Sequence, residues 1–109
     1  MDWPEAPVEL NDAQYEGFIK GYPAVIVDFW GPSCAPCKMI APVLERMAAD
    51  LRGRVAFGKM DVTRNIKTAS SLSIRSIPAL AFYRNGQLVK MKMGFMNQSK
   101  LTMELQEIL

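Results

Sequence analysis

Two cysteines three positions apart, Cys34 and Cys37, are the only thiols in this chain of 109 residues, and it contains no histidine. Any thiol chemistry must come from that pair. Without an imidazole the usual Ser-His or Cys-His base is excluded, as is nearly every histidine-built metal site. Two thiolates make half a zinc or iron–sulfur centre, and only a site shared between chains would complete it, so no metal is expected. A merely structural disulfide would bring little. Closing a ring of about four residues stabilises by roughly 2 kcal/mol, against about 3 for fifteen, and a cytosolic poise would tend to keep it reduced.

The segment Cys34-Ala35-Pro36-Cys37 stands where an apolar strand hands over to a helix. Unpaired N–H groups and the positive end of the helix dipole favour an anion there. A dipole contribution of roughly 0.3–2 kcal/mol would lower a thiol pKa by about 0.2–1.5 units. Cys34, at the mouth, is therefore expected to be the reactive thiolate. Cys37 falls one turn further in, on the apolar face, where burial keeps its thiol protonated. The third candidate is Asp28, a carboxylate inside the apolar run Ala24–Trp30. Burial there would raise its pKa until its proton exchanges near neutrality, unless it lies at a frayed, solvated strand end. With no histidine, Asp28 is the best candidate base.

The elements that must hold these groups follow from patterning. Val8-Glu9-Leu10 reads as a short edge strand. Asn11 to Gln14 has capping-box form, with Asn11 as N-cap and Gln14 at N3, ahead of Tyr15, Phe18 and Ile19 on one helical face, stopped by Gly21 and Pro23. The continuous apolar run Ala24–Trp30 marks a strand covered on both faces. A helix from about Cys34 to Arg52 follows the Gly31-Pro32 turn, with Pro42 expected to kink it and Gly53 to close it. Val55–Met60 reads as a strand and Asn65–Leu72 as a short helix. Ala79–Arg84 and Gln87–Met93 form a hairpin about Asn85-Gly86, whose two residues both need positive φ. On the second hairpin strand Val89, Met91 and Met93 are expected to face cover, and Leu88, Lys90 and Lys92 mostly water. A last helix runs from Asn97 with Leu101, Leu105 and Ile108 inward. The order β-α-β-α-β-α-β-β-α predicts a parallel portion with right-handed crossovers, then an antiparallel hairpin, in an α/β three-layer sandwich.

Composition bounds the rest. Half of the residues are apolar and 22% are charged, which argues against disorder, and the length suits a single domain over 1–109. The formal net charge is +2 with basic residues scattered along the chain, so no nucleic-acid or membrane partner is indicated. No apolar run approaches the roughly 18 residues a bilayer span needs. Met1-Asp2-Trp3-Pro4-Glu5 lacks the basic and apolar regions of a signal peptide, so a cytoplasmic location is expected. The eight methionines read as core filling or surface, not as a metal relay.

Asp28-Phe29-Trp30, then Cys34-Ala35-Pro36-Cys37-Lys38-Met39-Ile40-Ala41-Pro42, then Ile77-Pro78 and Asn85-Gly86, closely resemble the thioredoxin family. The resemblance runs in order over almost the whole chain, and a Cys-x-x-Cys beside a βαβ unit is itself a thioredoxin-like pattern. It implies the thioredoxin fold: a three-layer α/β/α sandwich with a central mixed sheet of about five strands and four helices. It implies that Asp28, through a water, takes a proton from Cys37, and that Lys59 on the adjacent strand sits near that acid. By itself Pro78 reads as an ordinary proline at a strand start, since only about 5–6% of X-Pro bonds are cis. The resemblance reverses this, implying a cis Ile77-Pro78 bond facing Cys34 and offering the Ile77 backbone to an extended substrate. By the same resemblance Trp30, Gly94 and Phe95 match positions around the site, and Pro36 is expected to favour a reducing potential.

Two residues depart from the family pattern. Ser33 stands where most thioredoxins have Trp, removing an aromatic contact and adding a hydroxyl. Ala35 stands where Gly is typical and narrows the approach. Both lie on the docking surface and bear on partner choice. The activity implied is reduction of disulfides in protein substrates through a mixed disulfide between Cys34 and the substrate. Cys37 then resolves it, leaving a Cys34–Cys37 disulfide. No G-x-G-x-x-G is present, so no cofactor is expected and a separate thioredoxin reductase must renew the dithiol. A monomer is expected. Two other readings exist: a redox-inactive binding or scaffold module of the same fold, and an oxidant or glutaredoxin-like variant, whose relatives more often carry His or Tyr between the cysteines.

Overall fold

The run Ala24–Trp30 becomes the middle strand of the sheet. The computed structural model describes residues 2–109. In chain order the elements are β1 (Val8–Glu9), α1 (Tyr15–Lys20), β2 (Ala24–Trp30), α2 (Ala35–Asp50), β3 (Ala56–Asp61), α3 (Ile66–Ser71), β4 (Ala79–Arg84), β5 (Gln87–Met93) and α4 (Gln98–Leu105). A 3₁₀ turn at Gln106–Ile108 follows α4. The five strands lie in the order β1-β3-β2-β4-β5. Strands β1, β3 and β2 run parallel, whereas β4 and β5 run antiparallel to their neighbours.

Layering follows from which side chains alternate. Ala24, Ile26, Phe57, Leu80 and Phe82 face Ile40, Leu44 and Met47 of α2 and Leu101 and Leu105 of α4. Val25, Val27, Phe29, Met60, Ala79 and Ala81 face Tyr15 and Ile19 of α1, with Leu72 and Ile74 beyond α3 packed beside them. Both faces of β2 are thus buried, which is why its sequence is apolar without alternation. The expected three-layer α/β/α sandwich with a mixed five-stranded sheet is observed.

Local signals behave as chemistry dictates. Gln14 N–H donates to Asn11 Oδ1 at 3.0 Å and Asn11 N–H to Gln14 Oε1 at 3.1 Å, so the reciprocal bonds of the capping box form, but across a turn: α1 starts at Tyr15 with Gln14, not Asn11, as its N-cap. Asn85 and Gly86 both take positive φ, 50° and 78°, at the hairpin. Helix α2 continues through Pro42, and Gly53, at φ 90°, follows its end.

Two further expectations are corrected. The sheet reverses at β4, which is antiparallel to β2, not at the later hairpin. On β5 Lys90, expected to face water, is covered instead, whereas Leu88 and Lys92 are exposed as expected. Phe82 pairs with Lys90 but Tyr83 with Leu88, so Val89 is an extra residue in a bulge. Lys90 consequently lies beside Phe82 under α4, its Nζ 4.9 Å from that ring and its side chain only 14% exposed. Glu104 and Glu107 bind its ammonium. Val89 and Met93 are exposed, and Met91 is partly buried on the opposite face. A lysine stem can cover an aromatic ring when its charge is paired, so polarity alone misassigned Lys90.

Candidate active site

The end of β2, the start of α2 and the start of β4 meet at one edge of the sheet. Because β4 is antiparallel to β2, its first residue Ala79 stands opposite Phe29 near the end of β2. The preceding Pro78 therefore lies at the edge from which α2 departs, and its bond to Ile77 is cis. Met93, the last residue of β5, pairs with the same Ala79, and Gly94 N–H donates to the Pro78 carbonyl at 2.8 Å. Gly94, at φ 93°, makes the turn that a side chain would strain. Phe95 beside it is 45% exposed.

Cys34 is the N-cap of α2, its backbone extended and its sulfur accepting the Cys37 N–H at 3.2 Å. The sulfur takes the place of the Ser or Asp oxygen that usually satisfies a helix's first amide groups. The same donor would bind a thiolate more strongly than a neutral sulfur. Cys34 and Cys37 form a disulfide with Cα atoms 5.2 Å apart. Cys34 is partly exposed and Cys37 is buried. Cys34 Sγ is 3.7 Å from the Ile77 carbonyl oxygen. In the disulfide that is a contact without a proton; in the dithiol form the Cys34 thiol has an acceptor there.

Beneath the pair is Asp28, 5% exposed, with no partner for its Oδ1 atom. Burial pushes its carboxyl up to about 7; Lys59 opposes the rise and Glu9 adds to it. Lys59 stands beside Asp28 in the parallel register of β2 and β3, half-buried. Asp28, Lys59, Trp30 and Cys37 line one cleft of about 370 Å³. The indole N–H of Trp30 is buried without a protein partner, and Trp30 also lines a second cleft of about 670 Å³ with Pro32, Thr63, Arg64 and Asn65. Ser33, Ala35 and Pro36 are exposed around Cys34.

The structure thus brings Cys34, Cys37, Asp28, Lys59, Trp30, Ile77, Pro78 and Gly94 to one end of the sheet. Sequence reasoning did not single out Gly31, Lys38 or Glu9. An added Cβ on Gly31 would come within 2.9 Å of Ile77 Cδ1, so the loop before Cys34 packs closely on the Ile77 side chain. Lys38 and Ala41 line the Asp28 cleft from α2, one turn and less than two turns from its start. Among the described residues no group of three His, Cys, Asp or Glu side chains could hold a metal ion, and no helix is long and apolar enough to cross a membrane.

The family model described as Thioredoxin matches residues 6–107. This chain belongs to the thioredoxin family. It is 39% identical over 95 residues to thioredoxin of Haemophilus influenzae, covering 86% of this chain and 89% of that one. Over 104 residues it is 38% identical to thioredoxin of Alicyclobacillus acidocaldarius, covering 95% and 99%. Among solved structures, a point-mutant thioredoxin from Halobacterium salinarum NRC-1 superposes with a TM-score of 0.91 at 25% identity, over 99% of this chain and 95% of that one. As a thioredoxin-family protein, the chain is a thiol–disulfide oxidoreductase, and its dithiol–disulfide couple is Cys34–Cys37.

Proposed function

We propose that the chain reduces disulfides in protein substrates, with Cys34 as nucleophile, Cys37 as resolving thiol and Asp28 as proton acceptor. The observation that supports this division is the difference in setting of the two sulfurs. Cys34 sits at the rim on a helix N-terminus, while Cys37 is buried over a carboxyl group with an elevated pKa.

The Cys34 thiolate attacks one sulfur of a substrate disulfide. A Cys34–substrate disulfide forms, and the other substrate sulfur leaves as a thiolate that takes a proton from solvent. Asp28 in its ionised form accepts the Cys37 proton. The Cys37 thiolate attacks Cys34 Sγ, forms the Cys34–Cys37 disulfide and expels the second substrate sulfur. Two electrons have passed to the substrate. A thioredoxin reductase returns two electrons and two protons to the pair. Ile77, whose carbonyl lies against Cys34 Sγ, pairs with the substrate backbone beside Pro78, and Ser33 and Gly94 complete the docking rim. The protein acts as a monomer of one domain in the cytoplasm.

Two variants separate the roles of the sulfurs. Cys34→Ser abolishes reduction of insulin disulfides by dithiothreitol, to roughly a hundredth of wild type or below, a loss of the size expected when a nucleophile is removed; retained turnover contradicts the nucleophile assignment. Cys37→Ser leaves attack intact and removes resolution, so covalent complexes with substrate accumulate on non-reducing gels. If Cys34→Ser traps complexes and Cys37→Ser does not, the order of attack is reversed.

A further inference from the structure

Three charged side chains stand in one row across three adjacent strands. Glu9 on β1 is in register with Lys59 on β3, and Lys59 is in register with Asp28 on β2. Register partners on parallel strands point to the same face, so the row reads carboxylate, ammonium, carboxylate on the face that carries α2. With strands about 4.8 Å apart, Glu9 and Asp28 are separated by about 10 Å, close to one Debye length at moderate salt. The two ends differ in solvation: Glu9 is exposed at the sheet edge and Asp28 is buried. Lys59 acts on Asp28 through space, and Asp28 Oδ1 has no hydrogen-bond partner.

We propose that Glu9 is a positioning residue for the dithiol reaction: by offsetting the field of the Lys59 ammonium across the row, it keeps Asp28 a stronger proton acceptor for Cys37. The proposal rests on the assigned role of Asp28. Lys59 alone would stabilise the Asp28 carboxylate and make it a weaker base. A carboxylate on the far side of the ammonium, acting through space, offsets part of its field at Asp28 and adds a like charge to the row. The other groups facing Asp28 leave this arrangement in place. Helix α2 contributes Cys37 and Lys38 to the cleft. On the other side the register partner is the apolar Leu80, and beyond it Lys92 is engaged by Glu104 of α4. Glu9 is thus the carboxylate the sheet places beside Lys59 from outside the cleft.

The test follows the Asp28 side-chain carboxyl carbon by NMR across about pH 4 to 10 in the oxidised protein, together with the acid limb of single-turnover insulin reduction by the dithiol form. Glu9→Gln is expected to lower the Asp28 midpoint by about 0.3–1 unit and to move the acid limb down by the same amount. Glu9→Asp, which keeps the charge, restores most of the shift. Glu5→Gln, an equal change in net charge away from the row, leaves the midpoint within about 0.1 unit. An unchanged or raised midpoint in Glu9→Gln overturns the proposal, as does an equal shift in Glu5→Gln. If the midpoint moves while the acid limb does not, Glu9 acts on Asp28 as proposed but the proton-acceptor role assigned to Asp28 fails.

Discussion

At the residue scale, Asp28 carries an energetic cost that the fold tolerates. Its carboxyl titrates at about 7 in the folded protein against 3.8 for an unperturbed group, because burial disfavours the charged form. The folded chain therefore holds a proton that the unfolded chain has released throughout that interval. The associated stability is fully present below about pH 4 and is lost as pH rises through 7. A displacement of about three units corresponds to about 4 kcal/mol. Asp28→Asn cannot ionise and lacks this slope. Urea unfolding of the oxidised protein at several pH values should show wild type losing about 2–4 kcal/mol relative to Asp28→Asn between about pH 4 and pH 8. Parallel stability curves would show that Asp28 ionises as freely as in the unfolded chain. The residue's type and place in an apolar run were readable from the sequence, since a lone carboxylate there has few explanations. Glu9 was not, because its importance comes only from the strand register that sets it beside Lys59.

At the element scale, the difference between what was legible and what was not is clearest at β5. Alternation along Gln87–Met93 pointed Lys90 outward, and an undisturbed strand read by polarity alone would keep it there. The bulge at Val89 and the carboxylates of α4 and the following turn reverse that preference, since a lysine whose ammonium is paired can lay its stem across Phe82. Neither the bulge nor the facing helix can be read from the strand itself. Glu104 receives Lys90 and Lys100, and these hold its carboxyl at about 2, well below its usual range. Such a depressed group stabilises the fold above the unfolded value of 4.5, and that stability is lost as pH falls through about 2. Glu104→Gln should therefore lower the denaturant midpoint measurably at neutral pH. Its deficit should shrink between pH 4.5 and about pH 2 as wild type loses the same interaction. A deficit that persists undiminished at the acid end would assign Glu104 a packing role instead. By contrast, the reciprocal bonds between Asn11 and Gln14 and the Asn85-Gly86 turn were fully legible, because each is decided by residues close together in the chain.

At the scale of the whole molecule, the direction of β4 decides whether there is an active site. A parallel β4, as the alternation of strands and helices suggested, would carry Pro78 to the opposite edge of the sheet, a strand's length from Cys34. The antiparallel β4 returns it to the edge where α2 begins, so Ile77 meets the Cys34 sulfur and Gly94 closes on Pro78. The family resemblance carried this information and the element order did not, because strand direction depends on how the β3–β4 connection is closed in three dimensions. The cysteines, Asp28 and the Ile77-Pro78 segment are assembled by long-range pairing from elements that are adjacent only in the folded chain. The central claim is that this assembly makes two chemically equivalent thiols behave differently. Alkylation of the reduced protein by iodoacetamide, followed at each cysteine by mass spectrometry from about pH 5 to 10, measures that directly. Cys34 should react with a midpoint at least about one unit below the roughly 8.5 of a free cysteine, while Cys37 reacts at least about tenfold more slowly at neutral pH. Equal rates at the two sulfurs, both rising with a midpoint near about 8.5, would contradict the account.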